Sequence, residues 1–195
     1  MYYLVDMYND KTNFIDGIDS DTCQKILNSS TIISETLEFY YLGKCVSDSF
    51  DTLIQWSYSA NPSSNYIMRN LHTAERLVRG FLFELRTCLD HMETKIKQEY
   101  GKTSEFLKVF EDSTHATYNA HPEYAFTYHL RNVSQHCQNI VHGFNSPTGI
   151  GISCNVQKLL NEYDKWKPVD KDYMINSGEN VDLLKTFSVA FQAFN

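Results

Sequence analysis

The sequence predicts a mainly all-α protein that forms a helical bundle with long antiparallel helices. It is also compatible with a minor two-stranded β element. Two segments carry this prediction, Tyr66 to Tyr100 and Tyr124 to Phe144. In each, apolar residues recur every three or four positions, which is the spacing that places them along one face of a helix. Such a stripe is stable only when it is covered, so we expect the two helices to pack together in one core.

The apolar stripe of the first segment comprises Ile67, Leu71, Ala74, Val78, Phe81, Leu85, Cys88, Met92 and Ile96. Gly101 is expected to end this helix. The spacing approaches a heptad repeat, but the flanking positions lack consistent opposite charges, which favours a bundle seam over a coiled-coil dimer. The second helix is expected to start at Pro122, because proline suits the first helical turn.

The other elements have weaker signals. We expect a strand over Tyr2–Met7, turns over Asn9–Asp21, a helix from about Ser30 to Ser57 with an interruption at Gly43, a helix over Ser104–Thr114, a strand over Thr148–Cys154 paired with the first strand, and helices over Val156–Trp166 and Val181–Phe194. Pro168 is expected to break the helix that precedes it.

Length and charge favour one continuous globular unit with an unequal charge distribution. Of the formal charge of −7, residues 1–60 hold −6, from nine acidic and three basic residues, and residues 61–195 hold −1. We therefore distinguish an acidic N-terminal segment, residues 1–60, packed on a helical domain, residues 61–195. The near-neutral charge of this domain does not exclude a nucleic-acid partner by repulsion, and the sequence contains no basic run that would indicate such a partner.

The sequence predicts a cytoplasmic protein without a membrane partner. No apolar run reaches the roughly 18 residues of a membrane span, and Asp6 stands where a secretory signal has basic residues followed by a long apolar stretch. The five cysteines are single and lack metal-ligand spacing, so we interpret them as reduced core thiols and expect neither a metal nor another cofactor.

The polar side of the segment from Tyr124 to Phe144 points to function. This side is predicted to carry Arg131, Asn132, Gln135, His136, Gln138, Asn139 and His142. A solvated helix face usually carries Lys and Glu, yet Arg131 is the only permanent charge from Tyr128 to Phe144. Amides, histidines and one arginine suit an interface or an active site, although a helix packed under a larger bundle is the alternative.

The segment Leu130-Arg131-Asn132-Val133-Ser134-Gln135-His136 resembles the core motif of the HEPN superfamily, in which an arginine followed by a polar residue precedes a histidine on a core helix. The flanking segments Leu89–Glu93, Tyr100–Lys102 and Leu159–Trp166 are similar to a group of uncharacterised bacterial HEPN-like proteins. The resemblance covers about residues 65–170. A second match to the spacing, Arg86 to His91, has a threonine after the arginine and fits the motif less well.

The resemblance implies a metal-independent endoribonuclease whose composite site forms at the interface of a homodimer. His136 is implied as the general acid or base, Arg131 as the group that holds the scissile phosphate, and Asn132 as a group that orients His136. Gln135 and Asn139 are candidates for substrate binding. The expected partners are RNA, a second copy of the chain, and an antitoxin or another protein of a defence system, because the family is linked to toxins and antiphage defence.

Two alternatives stay open at this stage. The chain is either a ribonuclease or a non-catalytic binding module of the same fold, which uses the Arg/His pair to dock a protein or RNA partner. Asp90 and Glu93 either line the same site as substrate-binding residues or form an ordinary salt-bridged ladder with Arg86, and the ladder is favoured.

Overall fold

A computed structural model describes residues 2–8, 11–60, 67–136, 139–144 and 151–195. Contacts divide the chain into two compact units, Met1–Gly43 and Lys44–Asn195. The division falls within the long helix α1 (Ser20–Ser59). None of the helices formed by the described residues is both long and apolar enough to cross a membrane.

The first unit contains an antiparallel hairpin and the start of α1. The expected strand at the N-terminus is confirmed as β1 (Tyr2–Tyr8). The turns expected over Lys11–Ile18 are wrong, because this segment is β2 and pairs with β1 along its length, and residues 9–10 of the expected turns lie outside the described residues. Helix α1 starts ten residues earlier than expected, where Asp19 Oδ1 accepts the Thr22 backbone N–H at 2.8 Å. This hydrogen bond and the one that the Thr22 hydroxyl donates to Asp19 Oδ2 lower the pKa of Asp19.

The second unit is the helical bundle. Besides the end of α1 it contains α2 (Ile67–Tyr100), α3 (Glu105–Ala120), α4 (Pro122–His136), α5 (Val156–Glu162), α6 (Pro168–Asn176), α7 (Leu183–Phe194) and the strands β3 (Gly143–Phe144), β4 (Ile152–Asn155) and β5 (Asn180–Asp182). The mainly all-α prediction with a minor β element is thereby confirmed. Helix α4 lies at the centre, since it contacts α2, α3, α6 and α7.

The core follows the predicted stripes. On α2 the buried side chains include Val78, Phe81 and Leu85, and on α4 Leu130 and Val133 are fully buried. Helices α2 and α4 pack together, as expected from the two stripes. The aromatic rings of Phe50, Phe81, Phe187 and Phe191, which come from α1, α2 and α7, continue the core.

The small sheet differs from the expectation in its partners. Strand β4 pairs antiparallel with β3 on one side and with β5 on the other, so its predicted pairing with the N-terminal strand is wrong. The N-terminal strand instead pairs with β2, the next strand in the sequence. The first part of the predicted strand, residues 148–150, lies outside the described residues.

Several helix ends also differ from the expectation. Helix α4 is described as far as His136, and residues 139–142 are not helical, so the helix does not reach Phe144; α3 continues to Ala120. Helix α1 is continuous through Gly43. Pro168 starts α6 instead of only ending the preceding helix, because proline is favourable in a first turn and the Asp170 carboxylate accepts the Lys167 backbone N–H at 3.0 Å.

The described cysteines, Cys23, Cys45, Cys88 and Cys154, are free thiols. Cys88 and Cys154 lie in the core as expected, and burial raises the pKa of Cys88 to about 11. Cys45 is exposed and Cys23 is half-buried, so the expectation of core thiols is wrong for these two.

Candidate functional site

Arg131 and Gln135 meet on the accessible side of α4. Arg131 Nη1 donates a hydrogen bond of 2.7 Å to Gln135 Oε1 one turn later. Arg79 of the neighbouring helix α2 donates a hydrogen bond to the Ser134 carbonyl oxygen of α4. Together with Phe83 of α2, these residues line a shallow depression of about 400 Å³, which we call the α2–α4 depression. Sequence reasoning did not name Arg79 or Phe83, because the neighbour of α4 is set by tertiary packing.

His136 lies at the end of α4 and points away from Arg131. Two residues five positions apart on a helix differ in direction by about 140°. The His136 side chain is exposed, and its ring stacks near the Tyr163 ring, with 6.5 Å between the ring centroids and an angle of 12° between the planes. Asn132 is half-buried one turn before His136. One chain therefore presents the two motif residues in different directions.

The segment after α4 is fastened to α2 by Glu75. The Glu75 carboxylate accepts the backbone N–H groups of Ile140 at 3.0 Å and Val141 at 2.8 Å, and it also bonds Arg79 Nε at 2.7 Å. Only 13% of the Glu75 side chain is exposed. Asn139, which we expected on the polar face of α4, is therefore an exposed residue beyond the end of the helix.

Asp90 and Glu93 lie apart from the Arg131 depression. They line a cavity of about 550 Å³ among residues of α2, α3 and α4. Arg86 Nη2 bonds Asp90 at 2.8 Å, and Lys97 bonds Glu93. Both are i,i+4 ion pairs on α2, but only Asp90 has the partner that we expected for the ladder, Arg86, whereas the partner of Glu93 is Lys97.

A buried carboxylate supports one wall of this cavity. Asp170 of α6 is fully buried, and its Oδ2 atom lies 2.7 Å from His129 Nδ1, within hydrogen-bonding distance. The Tyr118 hydroxyl lies 3.5 Å from the same nitrogen. The contact of His129 with a buried carboxylate was not predictable from the sequence, because the two residues come from helices far apart in the chain.

Two of the tyrosines that line the cavity are affected by burial. Burial raises the pKa of Tyr124 to about 12 and also raises the pKa of Tyr118. The guanidinium of Arg86 sits 4.5 Å from the centre of the Tyr128 ring, which fixes both side chains by a cation–π contact. The cavity thus offers phenol hydroxyls and aromatic faces beside paired charges.

Comparison of the chain with protein-family models, with curated proteins and with solved structures finds no match. Among the described residues, no three His, Cys, Asp or Glu side chains converge as they do around a metal ion. A functional conclusion must therefore come from the motif on α4 and from the side chains placed beside it.

Proposed function

We propose that the protein is a metal-independent endoribonuclease of the HEPN type, acting as a toxin or an antiphage-defence effector. The observation that supports the proposal most is the α2–α4 depression, where Arg131 is accessible beside Arg79 and no carboxylate lines the surface. Such a depression attracts a phosphate group, because guanidinium groups form charge-assisted hydrogen bonds with phosphate oxygens.

The direction of the two motif residues requires a second copy of the chain. Because Arg131 and His136 of one helix differ in direction by about 140°, one chain does not bring both to a single phosphate. A two-fold axis between two α4 helices brings two arginines and two histidines around one substrate. The absence of Lys, Asp and Glu from Tyr128 to His136 suits an interface of this kind.

The reaction follows from these groups. The ribose 2′-oxygen attacks the adjacent phosphorus while one His136 accepts the 2′-hydroxyl proton. The P–O5′ bond breaks, and the other His136 gives a proton to the leaving 5′-oxygen. Arg131 stabilises the extra negative charge of the phosphorane. The products are a 2′,3′-cyclic phosphate and a 5′-hydroxyl end.

The test is incubation of the purified protein with mixed RNA in EDTA. We expect cleavage that leaves a 2′,3′-cyclic phosphate and stops when every 2′-hydroxyl is replaced by hydrogen. His136→Ala and Arg131→Ala should each lower the rate by about 10²–10⁴, the usual contribution of a positioned acid–base or charge-stabilising group. His121→Ala, at an exposed histidine just before α4, is the matched control and should keep full activity.

Light scattering measures the oligomeric state in the same preparation. The composite site predicts a dimer at the concentration at which cleavage is observed. A strict monomer at high micromolar concentration, intact RNA, or equal cleavage of DNA would each contradict the ribonuclease proposal.

A binding module of the same fold is the second candidate, and one observation favours it. Both motif side chains are engaged within one chain, Arg131 by Gln135 and His136 by Tyr163. If the Arg/His pair serves structure or docking of a protein or RNA partner, Arg131→Ala and His136→Ala will change stability or partner binding while wild-type protein leaves RNA uncut.

A further inference from the structure

The arginines of this chain are concentrated on two helices. All five, Arg69, Arg76, Arg79, Arg86 and Arg131, lie on α2 or α4, and no lysine occurs between Lys44 and Lys95. The permanent positive charge of most of α2 is therefore carried by guanidinium groups. Guanidinium is the side-chain group that binds phosphate in a bidentate way and also stacks on planar rings.

Two of these arginines follow one line along α2 together with a histidine and a phenylalanine. Arg69, Arg76 and Phe83 are seven residues apart, which is close to two turns, and His72 lies between the first two on the same side. Arg69, His72 and Arg76 are exposed, and 53% of Phe83 is exposed. We call these residues, with Arg79, the arginine track. From Arg69 to Phe83 it is about 21 Å long at a rise of 1.5 Å per residue.

No carboxylate stands on this line. Glu75 and Glu84 are the acidic residues of α2 next to track residues in sequence. The Glu75 carboxylate accepts the backbone N–H groups of Ile140 and Val141 and also bonds Arg79 Nε. Glu84 lies about 100° around the helix from Phe83. The next acidic residue on the same side is Asp90, which is bonded by Arg86 beyond the end of the track. The track is thus a positive surface on a chain whose formal charge is −7.

The track leads into the α2–α4 depression. Arg79 and Phe83 line that depression together with Arg131. Phe83 is therefore an exposed aromatic ring beside the arginine that we place on the scissile phosphate. An aromatic ring between cationic groups is the arrangement that binds single strands, because the cations contact the backbone while the ring stacks on a base.

We propose that the arginine track binds the backbone of single-stranded RNA and that Phe83 stacks on an unpaired base next to the phosphate held by Arg131. The choice of RNA rests on the proposed function. The choice of a single strand rests on Phe83, because the bases of a duplex are stacked on each other and are not free to stack on a side chain.

Binding is tested in the full-length His136→Ala protein, so that cleavage does not interfere. Fluorescence anisotropy with a labelled, mixed-sequence single-stranded RNA gives the affinity over a series of KCl concentrations. Replacing two phosphate contacts, Arg69→Glu and Arg76→Glu together, should reduce the slope of log K against log[salt] by about 1.4, from about 0.7 per contact. The control Lys158→Glu with Lys171→Glu changes the charge equally at exposed sites on α5 and α6, and it should leave the slope unchanged.

Phe83→Ala tests the stacking contact separately. It should weaken binding roughly 5- to 150-fold, the usual worth of one base–aromatic stack, without changing the salt slope, because an apolar contact releases no counterions. Phe106→Ala, at a similarly exposed aromatic on α3, should have no effect. Single-stranded RNA should compete for the site better than a duplex of the same sequence.

The outcomes separate this inference from the proposed function. If the arginine variant loses slope but wild-type protein does not cut RNA, the track stands and the ribonuclease proposal fails. If wild-type protein cuts RNA but the arginine variant and the lysine control behave alike, the track is refuted. Undetectable binding, unchanged binding by Phe83→Ala, or equal competition by duplex also overturns it.

Discussion

Replacement of Glu75 by alanine removes a contact that holds the chain after α4 against α2. The Glu75 carboxylate accepts the backbone N–H groups of Ile140 and Val141, and these two residues are 0% and 5% exposed. Glu75→Ala therefore leaves two buried donors without their partner.

The cost follows from those two donors. A buried donor that loses its partner costs about 1–3 kcal/mol, and hydrogen bonds to a charged group lie at the upper end of such values. Two donors give about 2–6 kcal/mol, and we expect about 3 kcal/mol because water entering the site recovers part of the loss. The loss of the largely buried ion pair with Arg79, whose side chains are 33% and 13% exposed, acts in the same direction and keeps the total within the same range.

Urea unfolding followed by tryptophan fluorescence measures this cost. Both tryptophans, Trp56 and Trp166, belong to the unit Lys44–Asn195, so the signal reports on the unit that contains Glu75. Glu93→Ala is the matched control, because Glu93 also forms an i,i+4 ion pair on α2 but is 35% exposed. Amide hydrogen exchange gives a second readout.

The expected result is specific to the two amides. Glu75→Ala should lower the free energy of unfolding by about 3 kcal/mol, against less than about 1 kcal/mol for Glu93→Ala, and should speed exchange at Ile140 and Val141 first. Glu75→Gln keeps one acceptor oxygen and should lie between them. Equal destabilisation by Glu75→Ala and Glu93→Ala would refute the reasoning.

Two further predictions concern buried polar groups. His142 Nδ1 accepts the Asn155 backbone N–H at 2.9 Å, and burial lowers the pKa of His142. As the pH falls below about 6.5, the unfolded chain takes up a proton that the folded chain resists, so stability should fall until the pH reaches the lower pKa of the folded chain. His142→Asn, which keeps an acceptor near Nδ1, should flatten this dependence in urea unfolding at several pH values; an unchanged dependence would contradict it. Asp170→Ala leaves His129 and the Lys167 backbone N–H without their acceptor, so we expect about 3 kcal/mol of destabilisation, or a Tm lower by roughly 6–12 °C. Asp172→Ala, at an exposed residue of the same helix, should change the Tm little. Equal Tm shifts for the two variants would show that the buried contacts of Asp170 do not stabilise the fold.

The helical core was predictable because its signal is local and repeated. The stripe on α2 extends over nine apolar positions, and no single residue decides it. The same reasoning placed Leu130 and Val133 in the core, where both are fully buried. A helical period of this length depends little on what the helix packs against, so the sequence is sufficient to recognise it.

Elements that depend on a partner were not predictable in this way. The segment Lys11–Ile18 contains Asp, Asn and Gly, which favour turns, yet it pairs with β1 because Thr12, Phe14 and Ile15 fit a strand beside an adjacent strand. The apolar positions Ile140 and Val141 continued the period of α4, but the Glu75 carboxylate binds their backbone N–H groups and the chain leaves the helix before them. A distant side chain therefore binds two residues that the period of α4 had assigned to the helix.

The candidate site shows the same division. Arg131, Gln135 and His136 were found from a short motif, because their spacing on one helix is visible in the sequence. Arg79 and Phe83 become visible only when α2 and α4 are packed together. A motif identifies the residues of one element, whereas the surface that a substrate contacts is assembled from two.

Helix α2 contributes to both halves of the proposed chemistry, and this makes them separable by mutation. Its outer side carries the exposed residues Arg69 and Arg76, which we expect to bind RNA and to contribute little to the stability of the fold. One side chain, Glu75, holds the segment that follows His136. Substitution of the two arginines should therefore weaken RNA binding at constant stability, whereas Glu75→Gln should lower stability and speed amide exchange at Ile140 and Val141, while the part of the salt slope that Arg69 and Arg76 contribute stays unchanged. If both substitutions changed both properties equally, the outer side and the inner side of α2 would not be independent.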